Sequence, residues 1–168
     1  MRKLLLLCLL ALVKNLCWAN IKLPKLISDS MVLQRETPLQ LWGWAEKEER
    51  VTLTFKGVKY KATLPDSAGR WRVVLPPQKA GGPFSLKFTG QNVVEVKVVV
   101  FGDVWFFSGQ SNMVHQMYLH DVTYEADIKN ANFPLIRQFT VPNSPQLSRP
   151  LSDFAGGSWQ AAVGEQVR

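Results

Sequence analysis

Between Ile27 and Val100 apolar and polar side chains alternate in short stretches separated by glycine, proline and aspartate. Leu39, Leu41 and Gly43 alternate with Gln40, Trp42 and Trp44, and Val51, Leu53 and Phe55 alternate with Thr52 and Thr54. After Lys56-Gly57, placed as a hairpin turn, Val58, Tyr60 and Ala62 alternate with Lys59, Lys61 and Thr63. Pro65-Asp66 and Gly69 interrupt the chain before Trp71, Val73 and Leu75, and Pro76-Pro77 and Gly81-Gly82-Pro83 interrupt it before Phe84, Leu86 and Phe88. Successive side chains of a strand point to opposite faces, so this pattern predicts strands with one buried and one wet face. Short strands at such spacing imply an antiparallel β-sandwich-like or barrel domain.

The pattern changes near residue 98. Val98 to Phe101 and Val104 to Phe107 are continuous apolar runs broken only by Gly102-Asp103, and such runs suit strands covered on both faces, as in a parallel sheet. Tyr124 to Ala131 has the composition of a helix, with Thr123 as its N-cap and Asn132 and Pro134 closing it. Leu135 to Val141 then alternates again and is expected to be the next parallel strand, which makes the order that of an opening α/β domain. Past Pro142 the chain reads as loop, with Pro145, Pro150 and Gly156-Gly157. A crossover unit takes roughly 30 residues or more, so an α/β domain beginning here is expected to be incomplete. There are no internal repeats.

The first residues are set aside from the fold. Arg2 and Lys3, the apolar run Leu4 to Val13, and Ala19 ahead of Asn20 describe a signal peptide over residues 1–19. A lipid anchor on Cys17 is disfavoured because Lys14-Asn15-Leu16 lacks small residues. Both cysteines, Cys8 and Cys17, fall in this leader, so the processed chain has no disulfide or thiolate chemistry and is expected to be secreted or periplasmic. No later segment is apolar enough for a membrane helix, so no membrane association is expected after signal cleavage. Removing Arg2, Lys3 and Lys14 lowers 20 basic residues to 17 against 13 acidic, a balance of +4 in place of +7. The remaining cations are scattered along strand faces without a cluster, which argues against nucleic acid as a partner.

The segment with chemical promise is Phe107-Ser108-Gly109-Gln110-Ser111-Asn112-Met113. A buried strand is expected to run into Gly109, with a hydroxyl following on a sharp turn. Serine needs exposure, orientation and a base before it becomes a nucleophile, and amides at the start of a following segment can hold an oxyanion. Gly109 permits close backbone approaches. The arrangement is related to the Gly-x-Ser-x-Gly elbow, though Met113 stands at its second glycine. By spacing alone, a plain polar turn explains these residues equally well. His115 and His120 read as surface or packing histidines, and two such residues without a third ligand make no metal site. Trp42, Trp44 and Trp71 lie in strand patterns and read as core or inter-domain packing.

Phe101-Gly102-Asp103-Val104-Trp105 running into Ser108 to Met113 resembles the signature of the sialate O-acetylesterases, Ser-His-Asp carbohydrate esterases of the SGNH-hydrolase type. Ser30 to Arg35, Leu41 to Ala45, Gly69-Arg70-Trp71 and Gly81 to Phe84 resemble that family's N-terminal β-domain in order, and Pro134 to Val141 with Gly157-Ser158-Trp159 resemble its continuation. The resemblance implies a β-sandwich-like domain over residues 20–100, followed from 101 to 168 by the truncated start of an SGNH-like α/β hydrolase domain. It implies Ser111 as nucleophile and Gly109, Gln110 and Asn112 as supports of the turn or the oxyanion. The partner would be O-acetylated sialic acid or another acetylated glycan, with no cofactor and no metal. The family's orienting acid and base come from a downstream Asp-x-x-His segment, which the 168 residues lack, so this chain is expected to be an inactive N-terminal fragment. A non-catalytic carbohydrate-binding β-module is the alternative, and an SGNH lipase or esterase without sugar preference is a third reading.

Overall fold

The computed structural model describes residues 20–109, 117–143 and 148–167. Seven strands come first: β1 (Val32–Gln34), β2 (Leu39–Trp44), β3 (Thr52–Phe55), β4 (Val58–Lys61), β5 (Arg70–Leu75), β6 (Gly81–Thr89) and β7 (Val93–Gly102). They form a five-stranded sheet in the order β1-β7-β6-β3-β4 and a two-stranded sheet of β2 with β5. The two sheets face each other, because the alternation in each strand sends its apolar set to one side. Leu41, Trp71, Val73 and Leu75 of the small sheet share one buried cluster with Leu53, Phe55, Leu86, Phe88, Val96, Val99 and Phe101 of the large one. Trp71 and Phe88 touch across the gap with ring centroids 5.7 Å apart. Each large apolar side chain so buried contributes roughly 1.5–3 kcal/mol.

The expected sandwich therefore exists, but it is not purely antiparallel. Its main sheet is mixed: β1 runs parallel to β7, pairing Leu33 with Phe101 and Gln34 with Gly102, while β6 lies antiparallel on the other side of β7. Of the run Val98 to Phe101, expected to be covered on both faces, Val99, Val100 and Phe101 are buried but Val98 is exposed at 44%. The strand manages this through an irregular register against β6 between Phe84 and Leu86, with Val98 at φ +58°. Gly81-Gly82-Pro83, expected as a break, is the first part of β6. Gly82 sits at φ +136° with the Val99 carbonyl only 2.7 Å from where a Cβ would stand, so the strand passes there only with glycine.

Beyond the sandwich lie a 3₁₀ turn (Met117–His120), α1 (Asp121–Asn130), β8 (Asn132–Phe139), β9 (Trp159–Val163) and a second 3₁₀ turn (Gly164–Val167). The helix expected over Tyr124 to Ala131 is present but begins earlier: His120 occupies the N-cap position and Thr123 lies inside the first turn. The strand expected from Leu135 begins at Asn132 and is antiparallel, paired with β9. That pairing replaces the parallel neighbour expected there, and β9 itself falls in a region read as loop. Phe139 explains it, because its ring meets both Trp159 (5.5 Å) and Phe154 (5.9 Å) and draws the return strand onto β8.

Gly43 pairs with Trp71 across β2 and β5, and a Cβ there would lie against the Lys22 carbonyl and 2.7 Å from the indole ring. Gly43→Ala is expected to destabilise the sandwich by about 1–3 kcal/mol through overpacking, read as a lower urea midpoint with an unchanged slope.

Candidate active site

The approach to the candidate nucleophile is built where β1 and β7 end side by side. Parallel strands finish at the same edge, so the residues just past their ends meet. The Arg35 amide donates to the Gly102 carbonyl at 2.9 Å, extending the ladder by one bond. The Arg35 guanidinium then grips Asp103 with two bonds, Nε to Oδ1 at 2.9 Å and Nη2 to Oδ2 at 3.3 Å, and Arg35 Nη1 also lies 3.5 Å from Glu36. Gln34 Oε1 accepts from the Val104 amide at 2.8 Å. Two motifs nearly seventy residues apart, Ser30 to Arg35 and Phe101 to Trp105, thus become one anchor. Both motifs are legible in the sequence, but that one holds the other is not; the available signal was an Arg and an Asp, each just past an apolar run.

The Arg35 hydrogen bond holds the Asp103 carboxyl below its ordinary range against an opposing desolvation, aided by the cation's charge and by Gln34. Asp103 correspondingly raises the Arg35 guanidinium. Both groups are solvated, so the pair acts as an aiming device more than a source of stability.

From Val104 the chain leaves the sheet. The run Val104 to Phe107, expected as a covered strand, forms no strand and is exposed, with Trp105, Phe106 and Phe107 at 78%, 88% and 74%. An apolar run becomes a strand only when a neighbour takes up its amides, and here the Val104 amide goes to a side chain. Gly109 is exposed and outside any helix or strand. Gln110, Ser111 and Asn112, with Met113 and His115, lie outside the described residues. His120 is exposed, with its ring edge-on to Tyr124 at 6.3 Å.

The C-terminal part is tied back to the sandwich by polar contacts to the backbone. Arg137 Nη1 donates to the carbonyls of Ser30 (2.9 Å) and Val98 (2.5 Å), and its Nε to that of Pro134 (3.3 Å). Ser30 and Val98 both hold positive φ, at 66° and 58°. Burial lowers the Arg137 guanidinium from its ordinary value. Trp159 Nε1 donates to the Leu26 carbonyl at 2.8 Å, and the Lys25 amide donates to the Asp153 carboxylate at 3.1 and 3.2 Å. Between these ties lies a largely apolar hollow of about 360 Å³, walled by Leu26, Ile27, Trp42, Val141, Leu151 and Phe154. Trp42 therefore packs between segments and Trp71 in the core, as expected of both.

This architecture is that of a known enzyme class in part. The fold matches a carbohydrate acetylesterase from Xanthomonas citri with a TM-score of 0.78 and 35% identity, covering 86% of this chain and 33% of that one. No family model matches the sequence. Its curated relatives are sialate O-acetylesterases: the rat protein is 35% identical over 165 residues, covering 91% of this chain and 30% of that protein. The mouse protein is 38% identical over 98 residues and the human one 37% over 100, each covering 52% of this chain and 18% and 19% of the relative. The chain is homologous to the sialate O-acetylesterases and spans under a third of their length.

The Arg35–Asp103 pair has a definite pH signature. A depressed carboxylate contributes above the usual carboxylate pKa, about 4, and its contribution is lost as pH falls through the folded value. Amide exchange at Val104 is expected to be slow at pH 6 relative to an unstructured peptide and to lose that protection on acidification below about 4. In Asp103→Asn the protection should be weaker at pH 6 and flat across that range. A wild-type profile as flat as the variant's would remove Asp103 from the anchor.

Proposed function

We propose that this chain carries the nucleophile of a serine carbohydrate esterase that removes O-acetyl groups from sialic acid or a related acetylated sugar. In this reading residues 1–19 are a leader that sends the chain to the periplasm or outside the cell. Residues 20–100 form the supporting β-domain, and residues 101–168 begin an SGNH-like α/β catalytic domain. The observation that carries the reading is the 35% identity to a sialate O-acetylesterase along 91% of the chain. The anchor from Gln34 and Arg35 to Asp103 and Val104 supports it, because it aims the segment that leads to Ser111.

The chemistry is acyl transfer. Ser111 Oγ bonds to the acetyl carbonyl carbon, its proton passes to an imidazole, and the carbonyl electron pair moves onto oxygen. The Ser111 amide holds that oxyanion, with Gly109 allowing the turn and Gln110 and Asn112 supporting the turn or the oxyanion; one such donor is typically worth about 3 kcal/mol in the transition state. Collapse breaks the bond to the sugar oxygen, which takes the proton back from the imidazolium and leaves as the free hydroxyl. Water then attacks the acetyl-serine by the same route and releases acetate. The imidazole and its orienting carboxylate belong, by resemblance, to an Asp-x-x-His segment that these 168 residues do not contain.

Loss of the base from such a triad costs on the order of a millionfold in rate. The chain assayed alone is therefore expected to hydrolyse an aryl acetate no faster than Ser111→Ala does. Joined to a family continuation bearing Asp-x-x-His, it should deacetylate O-acetylated sialic acid and lose that activity in Ser111→Ala. Activity of the joined protein that survives Ser111→Ala would remove Ser111 from the role of nucleophile.

A further inference from the structure

We infer that the hollow at the end of β2, walled by Trp44, Glu46, Lys47, Pro65, Asp66 and Ser67, is a binding site for a neutral pyranose sugar. It is built from none of the residues that lead to Ser111 and does not depend on the acetylesterase reading. Trp44 reads in the sequence as packing, like Trp42 and Trp71. Alternation instead places it on the outer face of β2, because Leu41 and Gly43 are turned inward, and there it forms one wall of a hollow of about 570 Å³. A pyranose presents a patch of C–H groups on one side and hydroxyls around its rim. An indole suits the first, and carboxylate, ammonium and hydroxyl groups suit the second.

The walls are fixed before any ligand arrives. Asp66 Oδ1 accepts from the amides of Ala68 (2.8 Å) and Arg70 (2.9 Å), and its Oδ2 from Arg70 Nε at 3.3 Å, which sets the turn between β4 and β5. The Ala45 amide donates to the Gly69 carbonyl at 2.9 Å and ties that turn to the loop after β2. Behind this loop Glu49 is only 6% exposed, and its carboxylate accepts from the amides of Glu46 (3.3 Å) and Gln91 (2.8 Å). Burying a carboxylate without a cation is costly, and what it secures here is the backbone at Glu46. Trp42 braces the Trp44 ring edge-on at 4.9 Å. By contrast, the side chains of Glu46, Lys47 and Ser67 are exposed and make no hydrogen bond or ion pair among the described residues. Fixed loops carrying unengaged polar groups beside an aromatic wall are what a small-ligand site requires. Arg70 already neutralises Asp66 and Glu46 balances Lys47, so the lining does not select an ionic ligand.

The test follows the indole N–H resonance of Trp44, assigned by its absence from Trp44→Phe, while lactose, cellobiose or maltose is added to the 168-residue chain. At least one of these disaccharides is expected to move that resonance saturably, with N-acetylneuraminic acid binding more weakly. Glu46→Ala removes an exposed side chain without partners, so it should weaken the binding about tenfold or more at an unchanged melting temperature. Ser111→Ala should leave the titration as it is, so that loss of sugar binding and loss of the nucleophile are read separately. A Trp44 resonance unmoved by all three sugars would overturn the site. So would undiminished binding by Glu46→Ala, or tighter binding of N-acetylneuraminic acid than of every neutral sugar.

Discussion

The parallel pairing of β1 with β7 is the constraint from which the candidate site takes its geometry. Only three residues of β1 take part, but direction matters more than length. Because the two strands run the same way, Gln34 and Arg35 emerge beside Gly102, Asp103 and Val104. An antiparallel β1 would have put Arg35 at the opposite end of β7 and left the exit from the sheet unheld. The pairing is secured from below: Met31 is buried in the core and its carbonyl accepts from the Val100 amide at 3.1 Å, while the Ser30 amide donates to the Lys97 carbonyl at 2.9 Å. Hydrophobic burial thus sets the height of β1, the ladder sets its register, and the Arg35–Asp103 pair sets the direction in which the chain leaves the sheet.

The second junction, between the sandwich and the C-terminal segment, uses a different principle. Its contacts end mainly on backbone carbonyls and amides, so they depend on chain path more than on which side chains line the sandwich. Arg137 suits this role because a planar guanidinium presents several donors at fixed angles, and a lysine ammonium would not match three carbonyls in that geometry. The left-handed turns at Ser30 and Val98 bring two of those carbonyls together. The same irregularity that lets β7 bury three consecutive residues therefore also prepares the seat for Arg137.

Much of the sandwich was legible in the alternation of side chains. Leu41, Leu53, Phe55, Trp71, Val73, Leu75, Leu86 and Phe88 read as inward-facing and are all buried. The misreadings cluster where a residue's fate depends on a distant partner. Gly81 to Pro83 has the composition of a turn yet joins a strand, because the backbone of β7 passes too close for a Cβ. Val104 to Phe107 has the composition of a buried strand yet stands exposed, because no strand among the described residues pairs with it. The strand β8 was legible as a strand, but its direction relative to a neighbour was not, since hydropathy does not encode which segment will lie alongside. The candidate nucleophile was found by motif resemblance and falls on Ser111, outside the described residues, while the structure shows the approach to it as far as Gly109.

Local chemistry in the sequence determined where most strands of the sandwich form, which face of those strands turns inward, and that the chain shares ancestry with sialate O-acetylesterases. Those properties are carried by neighbours a few residues apart and by short ordered motifs, so they survive being read one segment at a time. Tertiary structure decided the parallel seat of β1, the grip of Arg35 on Asp103, the convergence of Ser30 and Val98 on Arg137, and the exposure of Trp105 to Phe107. Each of these joins residues tens of positions apart, and such pairings are selected by the packing of the whole core.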